Sequence, residues 1–197
     1  SLGLILVVVA GAELFTGNNL VAMAWASRMI STAELARNWV VVYIGNAAGA
    51  LGTVVLVRIA NVDEFGGGAV GEKTMAIAES KAALDVPEAI ALGILCNALV
   101  CLAVWLTLAG HTVTDKILAV IFPITAFVAI GFEHSIANMF FLPYAVALDG
   151  FNDSALITDS LINIGAVTVG NIIGGTLLVA AVYWTAYLRN DGKSVES

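Results

Sequence analysis

The stretch Gly131-Phe-Glu-His-Ser135 places two ionisable side chains in the middle of a long apolar segment, 116–147. About 20 apolar helical residues cross the hydrocarbon core of a bilayer, so this segment is too long for one simple crossing. An ionisable group at mid-membrane depth costs about 2.5–3.5 kcal/mol on insertion scales and is therefore functional by default. The pattern predicts a helix that is broken inside a membrane.

The composition of the rest of the chain also indicates a membrane protein. Of the 197 residues, 60% are hydrophobic and 12% are charged, whereas soluble domains are about one-quarter charged. Further apolar spans cover 38–60, 87–109 and 161–188, and the segments between them hold nearly all the charge. We therefore expect an all-α integral membrane protein in a lipid bilayer. The chain has no basic patch, which argues against nucleic-acid binding.

A second break is expected at 11–19, where Gly11-Ala-Glu-Leu-Phe-Thr-Gly-Asn-Asn19 leaves the helical pattern. Gly11-x-Glu13 with Asn18 matches Gly131-x-Glu133 with Asn138 at an offset of 120. Downstream, Asn38 and Gly45-Asn46-x-x-Gly49 match Asn163 and Gly170-Asn171-x-x-Gly174 at an offset of 125. The matches predict two repeats with the same order of elements, each containing one broken helix.

The second repeat has a span before its broken helix, and the first does not. We therefore expect that one N-terminal helix is missing and that the complete repeats are three-helix units. An odd number of helices per repeat places the halves in opposite orientation, as in transporters with inverted repeats. The predicted organisation is a single membrane transport domain: 1–60 is the rest of the first repeat, 61–86 a loop, 87–188 the second repeat and 189–197 a tail.

Loop charges predict the orientation. The 27–37 loop, the 110–116 loop and the tail share one side, and they hold Arg28, Arg37, Lys116, Arg189 and Lys193. Basic loops favour the cytoplasmic side. The multi-pass protein is thus expected to have a cytoplasmic C-terminus.

Six polar side chains form the candidate site. A pore-lining His134 could hand a proton to a passing weak-acid anion because imidazole titrates near neutrality; the alternative is a neutral histidine bonded between helices. Thr16 could add a hydroxyl donor, and Asn97 could reach the same cavity or bond between helices. Lys81 precedes Pro87 at the non-cytoplasmic mouth, where it could steer anions or remain solvated. Glu133 is expected to accept bonds from backbone N–H groups freed by the break, and Glu13 to do the same in the first half.

Other patterns predict packing rather than chemistry. Cys96 and Cys101 lie five residues apart in an apolar span and are read as small core residues. The Gly-Asn-x-x-Gly pairs are small-residue sites at which membrane helices pack closely. We see no nucleotide-binding glycine loop, no metal-ligand spacing and no nucleophile elbow, so we expect neither an enzyme nor a bound metal or cofactor.

Several motifs together resemble the formate/nitrite transporter family. They are Glu13-Leu-Phe-Thr16, Asn38-Trp39 with Gly45-Asn46, Gly93-Ile-Leu-Cys-Asn97, Phe132-Glu-His-Ser-Ile-Ala-Asn-Met139 and Gly170-Asn-Ile-Ile-Gly-Gly175. The resemblance runs from Ser1 to about Arg189. It implies six helices in the full protein, an aquaporin-like inverted repeat, and a homopentamer in an inner membrane whose protomers each have a pore. The family's first helix has no counterpart here.

The resemblance also implies roles for individual residues. His134 would be the central pore histidine, with Thr16 and Asn97 as polar neighbours and Lys81 as the vestibule lysine. Two constrictions are implied, a cytoplasmic one of Leu4, Leu14 and Phe15 and a periplasmic one of Val100 and Phe127. Asn18 and Asn138 join Glu13 and Glu133 as structural residues at the helix breaks.

The sequence thus favours a channel or transporter for a small monovalent weak-acid anion, formate or nitrite first. Hydrosulfide is the first alternative. A neutral-solute channel of aquaporin-like architecture is the second, although such a pore needs no titratable group. A membrane-embedded enzyme would need a catalytic partner for His134, and only the adjacent Glu133 is at hand.

Overall fold

The computed structural model describes residues 1–189, and helices account for its fold. The described part contains no β-strand. The helices are α1 (Leu2–Ala10), α2 (Ala22–Ala26), α3 (Thr32–Ile59), α4 (Ala69–Ala82), α5 (Val86–Thr107), α6 (Val113–Ile130), α7 (Ser135–Leu148) and α8 (Ser154–Ile173). Short 3₁₀ turns cover Gly17–Val21 and Val62–Glu64, and wider π-helical turns extend α8 over Gly174–Ala181 and Trp184–Leu188.

Four helices are long and apolar enough to cross a membrane: Thr32–Ile59, Val86–Thr107, Val113–Ile130 and Ser154–Leu188. The expected break in 116–147 is confirmed, because α6 ends at Ile130 and α7 begins at Ser135. The other expected break follows α1. Both are shorter than expected: only 11–16 and 131–134 lack helical structure, since a 3₁₀ turn begins at Gly17 and α7 begins beside His134.

Two element boundaries differ from the sequence prediction. The segment 61–86, expected to be a loop, contains α4, whose polar composition gave no apolar span to recognise. Helix α3 begins at Thr32 rather than 38, because Ser31 and Glu34 form a capping box in which each side chain bonds the other residue's backbone N–H. The predicted tail lies, apart from Arg189, outside the described residues.

The centre of the fold is the contact of α5 with α8, where glycines let the two backbones approach. A Cβ on Gly93 would lie 2.9 Å from the carbonyl oxygen of Val167, and one on Gly170 would overlap the carbonyl oxygen of Ile90. Helix α6 packs against α5 through an apolar cluster that includes Val100, Val120, Ile124 and Phe127. This packing holds the α6–α7 break against α5.

Gly170→Ala should destabilise the protein, because its methyl group would meet backbone rather than a movable side chain. Overpacking of this kind costs about 1–3 kcal/mol. Gly165→Ala is the matched control on the same helix, since nothing lies within 4 Å of a Cβ there. Thermal unfolding of the detergent-solubilised full-length protein should show a lower midpoint for the first variant only. Equal midpoints would contradict the close packing of α5 on α8.

Candidate functional site

Asparagine side chains hold the backbone at both helix breaks. In the first half, Asn46 Oδ1 accepts the N–H of Phe15 at 2.9 Å, and Asn46 Nδ2 donates to the carbonyl of Glu13 at 3.0 Å. In the second half, Asn171 Oδ1 accepts the N–H of Ser135 at 2.9 Å, and its Nδ2 donates to the carbonyl of Glu133 at 3.0 Å. Backbone groups freed by a break inside a membrane need such partners, because lipid offers none.

The carboxylates at the breaks bond to side chains. Asn18 Nδ2 donates to Glu13 Oε2 at 2.6 Å and to Asn38 Oδ1 at 3.0 Å. The same arrangement recurs in the second half, where Asn138 Nδ2 donates to Glu133 Oε2 at 2.6 Å and to Asn163 Oδ1 at 2.7 Å. The expectation that the two glutamates accept the freed backbone N–H groups is wrong, because Asn46 and Asn171 take that place.

The side chains in these bonds belong to residues that the sequence matched at offsets of 120 and 125. Each half therefore builds its break with the same set of hydrogen bonds. The opposite orientation of the two halves stays a prediction.

His134 joins the two breaks. Its Nε2 lies 3.0 Å from the hydroxyl oxygen of Thr16, and its Nδ1 accepts the N–H of Ala137 at 3.2 Å, which makes the ring the N-cap of α7. Because Nδ1 accepts a hydrogen bond, a neutral ring carries its proton on Nε2 and donates it to Thr16. The ring also stacks on Phe127, with centroids 5.8 Å apart and planes 16° apart.

An apolar cleft of about 430 Å³ lies on one side of His134. Its lining includes the imidazole and four of the five side chains expected at the constrictions, namely Leu4, Leu14, Val100 and Phe127. Phe15 is not among them. It is 3% exposed, and its ring packs edge-on against Tyr43 and Trp39, with centroids 4.9 and 6.3 Å away.

A charged vestibule of about 420 Å³ lies on the other side of the ring. It is lined by Lys73, Ser80 and Lys81 from α4 and by residues of the α6–α7 break. The vestibule and the apolar cleft share Phe127, Val128, His134 and Ala137. The stacked rings of Phe127 and His134 therefore line both cavities.

Lys81 forms an ion pair across the vestibule. Its Nζ lies 2.7 Å from Glu133 Oε1, with side-chain exposures of 17% for the lysine and 4% for the glutamate. Asn163 Nδ2 donates to the carbonyl of Lys81 at 2.8 Å, which attaches the end of α4 to α8. Removing one partner of a buried pair leaves an uncompensated charge, at about 3–5 kcal/mol. The ion pair therefore holds the end of α4, which forms one wall of the vestibule, against the α6–α7 break.

Asn97 lies outside both cavity linings. It is fully buried, and its Nδ2 donates to Asn19 Oδ1 at 2.8 Å and to the carbonyl of Asn171 at 2.6 Å. The sequence left two alternatives for Asn97, a place in the cavity or a hydrogen bond between helices, and the structure shows the hydrogen bond. Cys96 and Cys101 are both free and buried in the core.

Sequence reasoning missed three residues of this site. The matched Gly-Asn-x-x-Gly patterns contain Asn46 and Asn171, but small residues at this spacing predict packing rather than chemistry. Lys73 precedes Lys81 by eight residues, a spacing that puts both on one face of a helix, but the sequence predicts a loop for this segment. Among residues 1–189, no three His, Cys, Asp or Glu side chains come together in a group that could hold a metal ion.

Comparisons with known proteins place this geometry in a family. The family model described as "Formate/nitrite transporter" matches residues 1–185. The chain is 43% identical over 210 residues to "Formate channel FocA" of Escherichia coli strain K12, covering 97% of this chain and 73% of that protein. It is 45% identical over 191 residues to "Uncharacterized transporter YrhG" of Bacillus subtilis strain 168, covering 96% and 70%.

A solved structure agrees with the sequence comparisons. The "Pentameric formate channel with formate bound" has a TM-score of 0.78 and 38% identity, and the match covers 94% of this chain and 79% of that one. With four apolar spans and a family match along nearly its whole described length, the chain is a multi-pass membrane protein that belongs to the formate/nitrite transporter family.

Proposed function

We propose that this protein is a pentameric inner-membrane channel for formate and similar small monovalent weak-acid anions. The observation that carries the proposal is that His134 lines both a charged vestibule and an apolar cleft. The relatives named as formate channels and the pentameric structural neighbour support the substrate and the assembly. Nitrite and hydrosulfide also derive from weak acids, and formate stands first because the similar proteins carry that name.

The vestibule attracts the anion. Lys81 and Glu133 neutralise each other at 2.7 Å, which leaves Lys73 as the positive charge of the lining. Two ion pairs lie within residues 1–189, and Lys73 belongs to neither. The N-terminus of α7 adds a partial positive charge beside the ring. A cavity walled by low-dielectric protein concentrates the field of such charges on an entering anion.

A bare anion cannot pass the apolar cleft readily, because burying an unpaired charge is far costlier than burying its neutral acid. The cleft has Leu4, Leu14 and Val100 in its wall. Attraction in the vestibule alone would hold the anion there. The anion must therefore become neutral at the boundary, where His134 lies.

The hydrogen bonds of His134 explain how the ring exchanges a proton. With no anion nearby, charging the ring would turn Nδ1 from an acceptor into a donor and would break its bond to Ala137. An anion beside the ring offsets that loss by its charge. The ring then takes a proton at Nδ1 from a hydronium ion in the vestibule, which leaves as water, and passes its Nε2 proton to the carboxylate, which becomes neutral formic acid. Return of the remaining proton from Nδ1 to Nε2 through water lets the neutral ring restore its bond to Ala137.

We also propose that the C-terminus is cytoplasmic and that the two halves form an inverted repeat. Trp184 Nε1 donates to Ser27 Oγ at 3.0 Å, which brings the end of the last helix among the described residues to the loop that holds Arg28. This contact supports the orientation, because basic residues beside helix ends favour the cytoplasmic side of a membrane. The repeated hydrogen bonds of the two breaks support the duplication.

Formate flux into liposomes should rise as pH falls from 8 toward 5, by about tenfold per pH unit while proton supply limits transport. His134→Asn should abolish this protein-dependent rise. Asparagine is a good N-cap, so the variant keeps an acceptor for the N–H of Ala137 and the start of α7. The measurement is initial flux against external pH for both proteins in matched proteoliposomes.

Protein-free liposomes are the control, because formic acid also crosses lipid directly, and their flux is subtracted at each pH. Nitrite and hydrosulfide are measured in parallel to rank the substrates. Wild-type rates and an unchanged pH profile in His134→Asn would make His134 a packing residue and would refute the proposed mechanism.

Lys73→Gln should weaken anion capture without changing the pH profile. We expect the half-saturating formate concentration to rise by roughly three- to tenfold at low ionic strength, because the lysine supplies the unpaired charge of the vestibule. The difference should vanish near 1 M salt, where the screening length is about 3 Å. Lys73→Arg keeps the charge and should behave like wild type. A salt-independent change in Lys73→Gln would speak against steering.

A further inference from the structure

Three buried side chains hold the Phe15–Thr16 segment. Asn19 Nδ2 donates to the carbonyl of Phe15 at 3.2 Å. The thiol of Cys101 donates to the carbonyl of Thr16, with 3.4 Å between sulfur and oxygen. Asn97 Nδ2 donates to Asn19 Oδ1 at 2.8 Å. We call Asn19, Asn97 and Cys101 the buried polar cluster; each of the three is 0% exposed.

The buried polar cluster joins one helix break to the other. Asn97 Nδ2 also donates to the backbone carbonyl of Asn171. Asn171 bonds the backbone of Glu133 and Ser135 through its side chain, on either side of His134. Thr16 and His134 meet at 3.0 Å, so the cluster connects, through protein hydrogen bonds, two residues whose side chains touch.

The cluster fits together only because residue 175 has no side chain. A Cβ at Gly175 would lie 2.5 Å from Asn97 Nδ2, 2.7 Å from the Cβ of Asn19 and 3.0 Å from the sulfur of Cys101. The adjacent Gly174 is equally buried, but a Cβ there would meet the backbone of Ile94. Gly175 therefore faces the polar cluster, whereas Gly174 faces the packing of α8 on α5.

We propose that Gly175 is a positioning residue for transport: the space it leaves seats the buried polar cluster, which sets the Thr16 hydroxyl against His134. The inference rests on the proposed function for its transport readout. Gly175, Cys101 and Thr16 all lie outside the linings of the apolar cleft and the vestibule, but Thr16 contacts His134, which lines both. Gly175 and Cys101 therefore act through Thr16. The cluster determines where the proton on Nε2 points, because Thr16 is its acceptor.

The central test compares three glycine variants of the full-length protein: Gly175→Ala, Gly174→Ala and Gly165→Ala. The measured quantity is the ratio of formate flux at pH 5 to formate flux at pH 8, with each flux divided by the amount of folded pentamer. Gly175→Ala should lower this ratio at least about threefold, and Thr16→Val should lower it to a similar extent. Gly174→Ala should lower the yield of folded pentamer without altering the pH profile. Gly165→Ala should match wild type, since its Cβ would enter open space.

A double variant separates positioning from general packing. If Gly175 acts through Thr16, then Gly175→Ala should add nothing further to the pH profile of Thr16→Val. Effects that multiply independently would overturn the proposal, as would a Gly175→Ala profile equal to that of Gly174→Ala.

Cysteine variants keep the proposal testable if Gly175→Ala does not fold. Cys101→Ala removes the donor to the Thr16 carbonyl without adding volume and should flatten the pH response, and Cys101→Ser restores a donor and should restore the response. An unchanged response in Cys101→Ala would contradict the role of the cluster.

A structural readout does not depend on transport. In a cryo-EM structure of Gly175→Ala or Cys101→Ala, the separation of Thr16 Oγ1 from His134 Nε2 should exceed 3.5 Å, whereas Gly165→Ala should keep it near the 3.0 Å of the native protein. A retained contact in Gly175→Ala and Cys101→Ala would overturn the inference. Absence of formate flux in the wild-type protein would instead refute the proposed function. The distance from Thr16 Oγ1 to His134 Nε2 in the variants would still decide whether the cluster positions Thr16.

Discussion

Backbone groups inside a membrane must find their hydrogen-bond partners within the protein, and this constraint governs the structure at its two broken helices. At each break one asparagine, Asn46 or Asn171, accepts a freed N–H and donates to a freed carbonyl. The rest of the site depends on these four bonds. They allow the chain to leave helical geometry at mid-membrane depth, and so allow Thr16 and His134 to face each other at 3.0 Å.

The position of His134 at a helix start has a chemical consequence. As the N-cap of α7, the ring uses Nδ1 to accept the N–H of Ala137 and has Nε2 free to face Thr16. The bond from Ala137 to Nδ1 thereby selects the tautomer that carries its proton on Nε2, and this proton points toward Thr16. The ion pair of Lys81 with Glu133 acts beside it, because it keeps a buried carboxylate next to the ring compensated while Lys73 remains available to anions.

Features carried by local composition could be predicted from the sequence. The break at Gly131-Phe-Glu-His-Ser135 was predictable because polar side chains interrupt an apolar segment, and the second break because it repeats the same residues at a fixed offset. Helix α4 was missed because a polar helix outside the apolar spans has no hydropathy signal. Long-range pairings were also out of reach: nothing near Phe15 announces its contact with Trp39 and Tyr43, and nothing near Glu133 announces Lys81, 52 positions away.

The protonation state of His134 decides whether the ring can act as a proton donor at Nε2, and nitrogen NMR of the full-length protein in lipid measures it. The chain has two histidines, so replacing His111 leaves a single labelled ring. At pH 7 without substrate, we expect a neutral ring that is protonated on Nε2 and unprotonated on Nδ1, with the Nε2 proton bonded to Thr16. A ring protonated on Nδ1, or on both nitrogens, would contradict the role of His134 as the proton donor.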